Sequence, residues 1–259
     1  MITQESPFQI YHKDQINLIV SGVGKVSSAN AIGYLCGHNN FDQRNIDKNN
    51  SIEQTDTWLN IGMAGHSHLE INTGFLANKI IDQATDKSWF PPIIFDQPCY
   101  TDKLTTVDKP CSEYKFGGGV DMEASAFFAS ASRYTTNELV HSYKVVSDNP
   151  DSRLHKITPA QASELISSKL EDIQFIADQL LIISNELSST NLIQNNFETL
   201  TNKIRMTHSE KLKIKSCLTK LSLVNSDLIL NPNEFTEISS SKEIISHLNK
   251  MINKQEIYF

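Results

Sequence analysis

No apolar run in this chain approaches the roughly 20 residues that a membrane helix needs; Ile16 to Val20 and Leu180 to Ile183 are among the longest. The first residues, Met1 to Pro7, lack the basic and apolar regions of a secretory signal. A cytoplasmic protein with no membrane partner is the expectation. Cysteine is scarce: Cys36, Cys99, Cys111 and Cys217 form no C-x-x-C pair and match no zinc-ligand spacing, which excludes a disulfide framework and a zinc finger. Positive charge is in deficit too. The formal net charge is −7, so nucleic acid is not the expected partner. Residues 1 to 189 hold 14 basic against 23 acidic side chains, and residues 190 to 259 hold 9 against 7. That shift sets a boundary near 190.

What is present is an ordinary globular composition, 39% hydrophobic and 20% charged in 259 residues, enough for one large domain and an appendage. Ile16 to Val20 reads as a strand leading into Gly22 and Gly24, with Ser27 to Leu35 as a helix of small residues. Asp42 to Thr55 is polar and reads as a loop. Thr57 to Ile61 is a second strand with Gly62 to Gly65 as its turn. Leu76 to Ile81, Pro92 to Phe95 and Leu104 to Val107 are further strands. Gly117 to Gly119 frees the backbone before Val120. Glu123 to Tyr134 is helical and His141 to Val146 is a strand. Thr158-Pro159-Ala160-Gln161 is a helix start on two counts, a capping box and Pro at the first helical position. Asn191 to Asn196 reads as a polar break, followed by helices over Glu198 to Leu223 and Lys242 to Asn253, with an Asn-Pro-Asn turn at 231 to 233 between them. Strands alternating with helices imply an α/β fold. The expected domains are 1–188, α/β, and 189–259, a small helical appendage too poor in basic residues to suggest a DNA reader.

Four segments could carry chemistry. Gly22-Val23-Gly24-Lys25 is either a plain strand-to-helix turn or a backbone cradle for an anion. Asn60-Ile61-Gly62-Met63-Ala64-Gly65 is either a buried strand with a tight turn or a ligand wall. In Val120-Asp121-Met122-Glu123-Ala124, an acid stands where a sheet meets a helix start, near amides that can orient it. In Val145-Val146-Ser147-Asp148, an acid follows an apolar strand; Asp151 lies close by. His66 and His68 have no evident third ligand and read as a solvated loop. Trp89-Phe90-Pro91-Pro92 reads as a pocket wall, a dimer contact or core packing.

In this order and spacing, the segments resemble the nucleoside phosphorylase and nucleosidase family, closest to its methylthioadenosine/S-adenosylhomocysteine nucleosidase branch, over roughly residues 8 to 186. The resemblance implies a phosphorylase/hydrolase-like three-layer fold with a central mixed sheet. It implies cleavage of a purine nucleoside to base and sugar by water. Asp148 would act as the acid at the base, with Ser147 beside it. Met122 and Glu123 would pack under and bind the ribose, Ala64 and Gly65 would line its other side, and Gly22, Gly24 and Lys25 would form the anion loop. Tyr114 is the nearest aromatic for the purine-stacking loop that falls at Val107 to Pro110. Small-molecule nucleoside and a second copy of the chain are the implied partners, with neither metal nor organic cofactor. Three departures stand out: Met63 replaces a serine, no arginine sits where phosphorylases hold phosphate, and the match begins at the family's second strand, leaving its first strand and water-activating glutamate unmatched. Impaired hydrolysis is therefore expected. A phosphorylase, a non-catalytic nucleoside-binding protein and an interaction protein working through its tail are the alternatives.

Overall fold

The computed structural model describes residues 6–43, 56–111, 114–152, 157–201, 204–224 and 240–255, together with 230, 235 and 238. They fall into two compact units that divide between Ile183 and Ser184. No helix among the described residues is long and apolar enough to cross a membrane.

The first unit opens with a hairpin, β1 (Gln9–Lys13) against β2 (Ile16–Val20). Strand alternation gives it two unlike faces. Ile10 is buried against the main core, helped by Phe8 and Ile19, while Tyr11, Ile16, Leu18 and Val20 are exposed. After α1 (Lys25–Gln43) come β3 (Trp58–His66), β4 (Gly74–Asp82), β5 (Ser88–Trp89), β6 (Tyr100–Thr106), β7 (Gly119–Asp121), α2 (Ala124–Ala131) and β8 (Val140–Asp148). The expected loop at Asp42 to Thr55 starts inside α1, and its residues 44–55 lie outside the described residues.

The six strands β3 to β8 form one mixed sheet in the order β5-β4-β6-β7-β3-β8, and β4 pairs with β8 as well, so the sheet closes on itself. β3 runs parallel to β8, and β6 lies parallel to both β4 and β7. Every residue of β8 from Val140 to Ser147 is buried, as expected of a strand covered on both faces. One core joins α1 and α2 to the sheet through Ile32, Leu35, Phe75, Leu104, Phe128 and Val146. Another joins Leu76, Tyr143 and Val145 to Ile176 and Leu180 on α4 (Leu170–Thr201). This is the expected α/β architecture with a central mixed sheet. α3 (Pro159–Ser167) begins with the expected capping box between Thr158 and Gln161.

Several local expectations need correction. Gly62 to Gly65 is no turn but part of β3, with a bulge at Ala64/Gly65; these glycines admit neighbouring side chains. Pro92 to Phe95 forms no strand. Two successive prolines remove backbone donors there, while Ile93 and Phe95 supply apolar packing. Asn191 to Asn196 is helical, inside α4. Its polarity reflects Asn196, which is buried and accepts a hydrogen bond from the Leu230 amide at 3.2 Å. Glu198 to Leu223 is two helices, because α5 (His208–Val224) restarts after α4 ends. Reciprocal bonds between Thr207 and Glu210 cap that restart.

The second unit takes in α4 from Ser184, α5 and α6 (Ser241–Gln255). Its core holds Leu200, Ile214, Leu218, Leu221, Ile244 and Leu248. α4 also runs through the 188/189 boundary drawn from composition. The Asn231–Asn233 turn lies outside the described residues.

Candidate active site

Lys25 opens α1 just after Gly22 (φ 82°) and Gly24 (φ 98°), positions where an L side chain would be strained. The amide of Gly24 donates to Glu123 Oε1 at 2.7 Å. The anion at this helix start is therefore the protein's own carboxylate. Lys25 pairs with Asp82 at 3.0 Å and Asp108 at 2.6 Å. Its hydrogen bond to Asp108 raises the ammonium above its ordinary pKa against the cost of burial, and Asp82 adds to this. Burial pushes the Asp82 carboxyl up, but hydrogen bonds from Ser125, Lys25 and Thr85 outweigh it and the net shift is downward. Two of the expected elements, the glycine loop and Glu123, are thus brought together.

Glu123 precedes α2 as its N-cap residue. Its Oε2 accepts weakly from the Met122 amide at 3.4 Å and lies 3.9 Å from the ammonium of Lys144. Met122 is partly buried. Asp121, buried on β7, accepts from Thr106 Oγ1 at 2.7 Å and the Ala124 amide at 2.9 Å. It also pairs with Lys144 at 3.0 Å. Lys144 and Asp121 were not singled out from sequence. The signal for Lys144 is a lysine set between Tyr143 and the Val145-Val146 pair of an expected strand.

Asp148 ends β8. Its Oδ1 accepts from Ser147 Oγ at 2.6 Å and its Oδ2 from Tyr114 Oη at 2.5 Å. Ser147 Oγ also lies within reach of the Ala64 carbonyl, at 3.2 Å. Gly65 is the register partner of Asp148, and a Cβ on it would come within 2.9 Å of Asp148 Oδ2 and 3.3 Å of the Tyr114 ring. The structure therefore brings Ala64, Gly65, Ser147 and Asp148 together, joined by Tyr114, whose hydroxyl engages the acid. Tyr114 is buried with φ +47°, costly for a bulky residue. Asp151 is exposed in the turn that follows.

The two groups share the β3–β8 pair at different levels: Gly62 is in register with Lys144 and Gly65 with Asp148. Among the described residues, four carboxylates stand around Lys25 and Lys144, those of Asp82, Asp108, Asp121 and Glu123. No cation lies within ion-pair distance of Asp148 among the described residues.

Of the two histidines read as a solvated loop, His68 is exposed in a bend after β3, but His66 is not in a loop. His66 is fully buried on β3, and Asp102 of β6 provides the third group, with Oδ2 at 3.3 Å from His66 Nε2 and 3.4 Å from His68 Nε2. These are metal-ligand residue types at a suitable spacing. The hydrogen bonds of His66 oppose a metal. His66 Nδ1 accepts the backbone amides of His68 and Leu69, which puts the ring proton on Nε2, whereas a ligating Nε2 needs the other nitrogen to donate. Desolvation, with His68 adding, pushes His66 down to about 4. Elsewhere, Trp89 packs against the core and Phe90 is exposed under the Lys79 ammonium. Burial raises the Cys36 and Cys99 thiols, to about 11 and about 12, which makes them poor nucleophiles.

No protein-family model and no curated protein matches the chain. Solved structures do. The chain is similar to a 5′-methylthioadenosine/S-adenosylhomocysteine nucleosidase of Colwellia psychrerythraea 34H in complex with adenine, at 16% identity over 70% of this chain and 85% of that one, with a TM-score of 0.47. It is similar to the S. pneumoniae 5′-methylthioadenosine/S-adenosylhomocysteine nucleosidase with a transition-state inhibitor, at 18% identity, 71% and 87% coverage and a TM-score of 0.43. A Streptococcus pyogenes S-adenosylhomocysteine nucleosidase in complex with 5-methylthiotubericidin gives 17% identity, 69% and 83% coverage and a TM-score of 0.42.

Proposed function

We propose that the chain hydrolyses the N-glycosidic bond of a purine nucleoside, with the chemistry in residues 1–188. The observation that carries this reading is a pair of carboxylates in unlike surroundings, tied to one strand pair: among the described residues Asp148 is held by hydroxyls, Glu123 by amides and an ammonium. Unlike surroundings allow two acids to take different roles. Asp148 delivers a proton to the departing purine, whose developing negative charge must be quenched. Glu123 accepts hydrogen bonds from the sugar hydroxyls, which strengthen as the sugar becomes oxocarbenium-like. Met122 packs beneath the sugar, and Ala64 and Gly65 form the wall beside it.

Water is the acceptor. Gly22, Gly24 and Lys25 cannot serve phosphate in this arrangement, because Lys25 is held by two carboxylates and the Gly24 amide by Glu123. Four carboxylates against two ammonium groups suit a cationic transition state and repel an anionic co-substrate. The exposed apolar face of the hairpin supports a homodimer. The free cysteines support a reducing compartment, the cytoplasm.

Base release from a panel of purine nucleosides including methylthioadenosine, with and without phosphate, tests the reading. Phosphate-independent release that falls about a hundredfold or more in Asp148→Asn is expected. Release only with phosphate would make the protein a phosphorylase. The second reading, a non-catalytic nucleoside binder, is favoured by Tyr114 already engaging Asp148. It predicts thermal stabilisation by nucleoside without turnover.

A further inference from the structure

Lys144 touches no reacting atom in the scheme above, yet the fold goes to some length to keep it. Its side chain is 1% exposed, and an ammonium taken out of water is costly unless it is paired and hydrogen-bonded. Asp121 Oδ2 stands 3.0 Å from Nζ, Asn60 Oδ1 3.5 Å and Glu123 Oε2 3.9 Å. Room is made by Gly62, its register partner on β3: a Cβ there would sit 3.0 Å from Nζ. Asp121 is itself fixed by Thr106 and the Ala124 amide. The ammonium is therefore held by a rigid carboxylate on one side and offers its charge to Glu123 on the other.

We propose that Lys144 is a positioning residue for Glu123, setting the orientation in which that carboxylate meets a sugar hydroxyl. The inference rests on reading Glu123 as the sugar anchor. At 3.9 Å the ammonium attracts Oε2 without saturating it, so the oxygen keeps a lone pair for the ligand. The Gly24 amide pins Oε1 at 2.7 Å, the Met122 amide reaches Oε2 only weakly at 3.4 Å, and the charge of Lys144 sets the remaining rotation. Without Lys144, Asp121 and Glu123 are two carboxylates facing one vacated position, and like charges push Glu123 out of its pose.

The test is the KM and kcat for adenosine, 2′-deoxyadenosine and 3′-deoxyadenosine with the full chain, as wild type, Lys144→Met, Lys144→Arg and Gly62→Ala. Lys144→Met should raise KM for adenosine about tenfold or more, the scale of a hydrogen bond to a charged group. It should raise KM less than about twofold for the analogue that lacks the contacted hydroxyl, because mutation and deletion remove the same interaction. Lys144→Arg should recover most of the loss. Gly62→Ala keeps every charge while displacing Nζ by a few tenths of an ångström, and should give the same hydroxyl-selective pattern in weaker form; it carries the test if Lys144→Met does not fold. Equal losses on all three nucleosides, or an arginine variant no better than the methionine one, would overturn the proposal. A wild-type protein that releases base from none of them overturns the hydrolase reading on which the inference rests, an outcome distinct from turnover with uniform losses.

Discussion

Gly65 shows how much of this site depends on an absent side chain. A methyl group there would meet Asp148 Oδ2 at 2.9 Å, the movable end of a side chain rather than backbone. Gly65→Ala should therefore leave the fold nearly as stable while pushing the acid off its place, with kcat falling tenfold or more on the scale of a misplaced general acid; thermal unfolding and base release together check it. Gly74→Ala should behave oppositely, since its Cβ would overlap the buried Tyr143 hydroxyl, destabilising the chain by roughly 1–3 kcal/mol or more as overpacking does. Sequence alone made Asp148 and Glu123 legible, because each ends a strand or opens a helix in a recognisable segment. It could not reveal Tyr114 on Asp148, or Asp102 between two histidines, because those contacts join residues 34 and more apart. His66 and His141, both pushed by burial to about 4, carry a pH consequence. Between about 6.5 and 4 the unfolded chain binds protons that the folded chain refuses, so stability should fall as pH drops through that window. His141→Gln should flatten the slope of a denaturant-midpoint titration.

At the scale of elements, the errors of sequence reading have one source: residues were judged by type, and their partners decided otherwise. Two glycines in Gly62 to Gly65 suggested a turn, but strand β3 uses them to admit Lys144 and Asp148. The asparagines of α4 suggested a break, but Asn196 faces inward to satisfy a buried amide. Signals that are local in nature survived, such as the capping box of α3. A similar box, Thr207 with Glu210, was equally readable. Glu210 also accepts from Ser241 Oγ at 2.5 Å. These hydrogen bonds, Ser241 foremost, hold its carboxyl down to about 2. The sign follows: a depressed acid stabilises above its unfolded value near 4.5, and the contribution is lost as pH falls towards 2. Glu210→Gln should be less stable than wild type at pH 7 and lose that difference in strong acid, read by helical circular dichroism.

For the molecule as a whole, one architectural fact has a bearing on its history before it is ever folded. β4 is hydrogen-bonded to β8, Gly74 to Leu76 against Tyr143 to Val145, and no shorter stretch of chain can close the ring. Until Val140 to Asp148 has left the ribosome, β4 and β3 each lack a neighbour and present bare strand edges, the kind of surface that templates aggregation. Pairing so distant in sequence also slows folding, because the loop must be ordered before the contact repays it. Refolding should accordingly take milliseconds to seconds and gain little from stabilising α1 alone. Synthesis, with some 60 residues to add between β4 and β8, is the moment at which this chain most needs a chaperone.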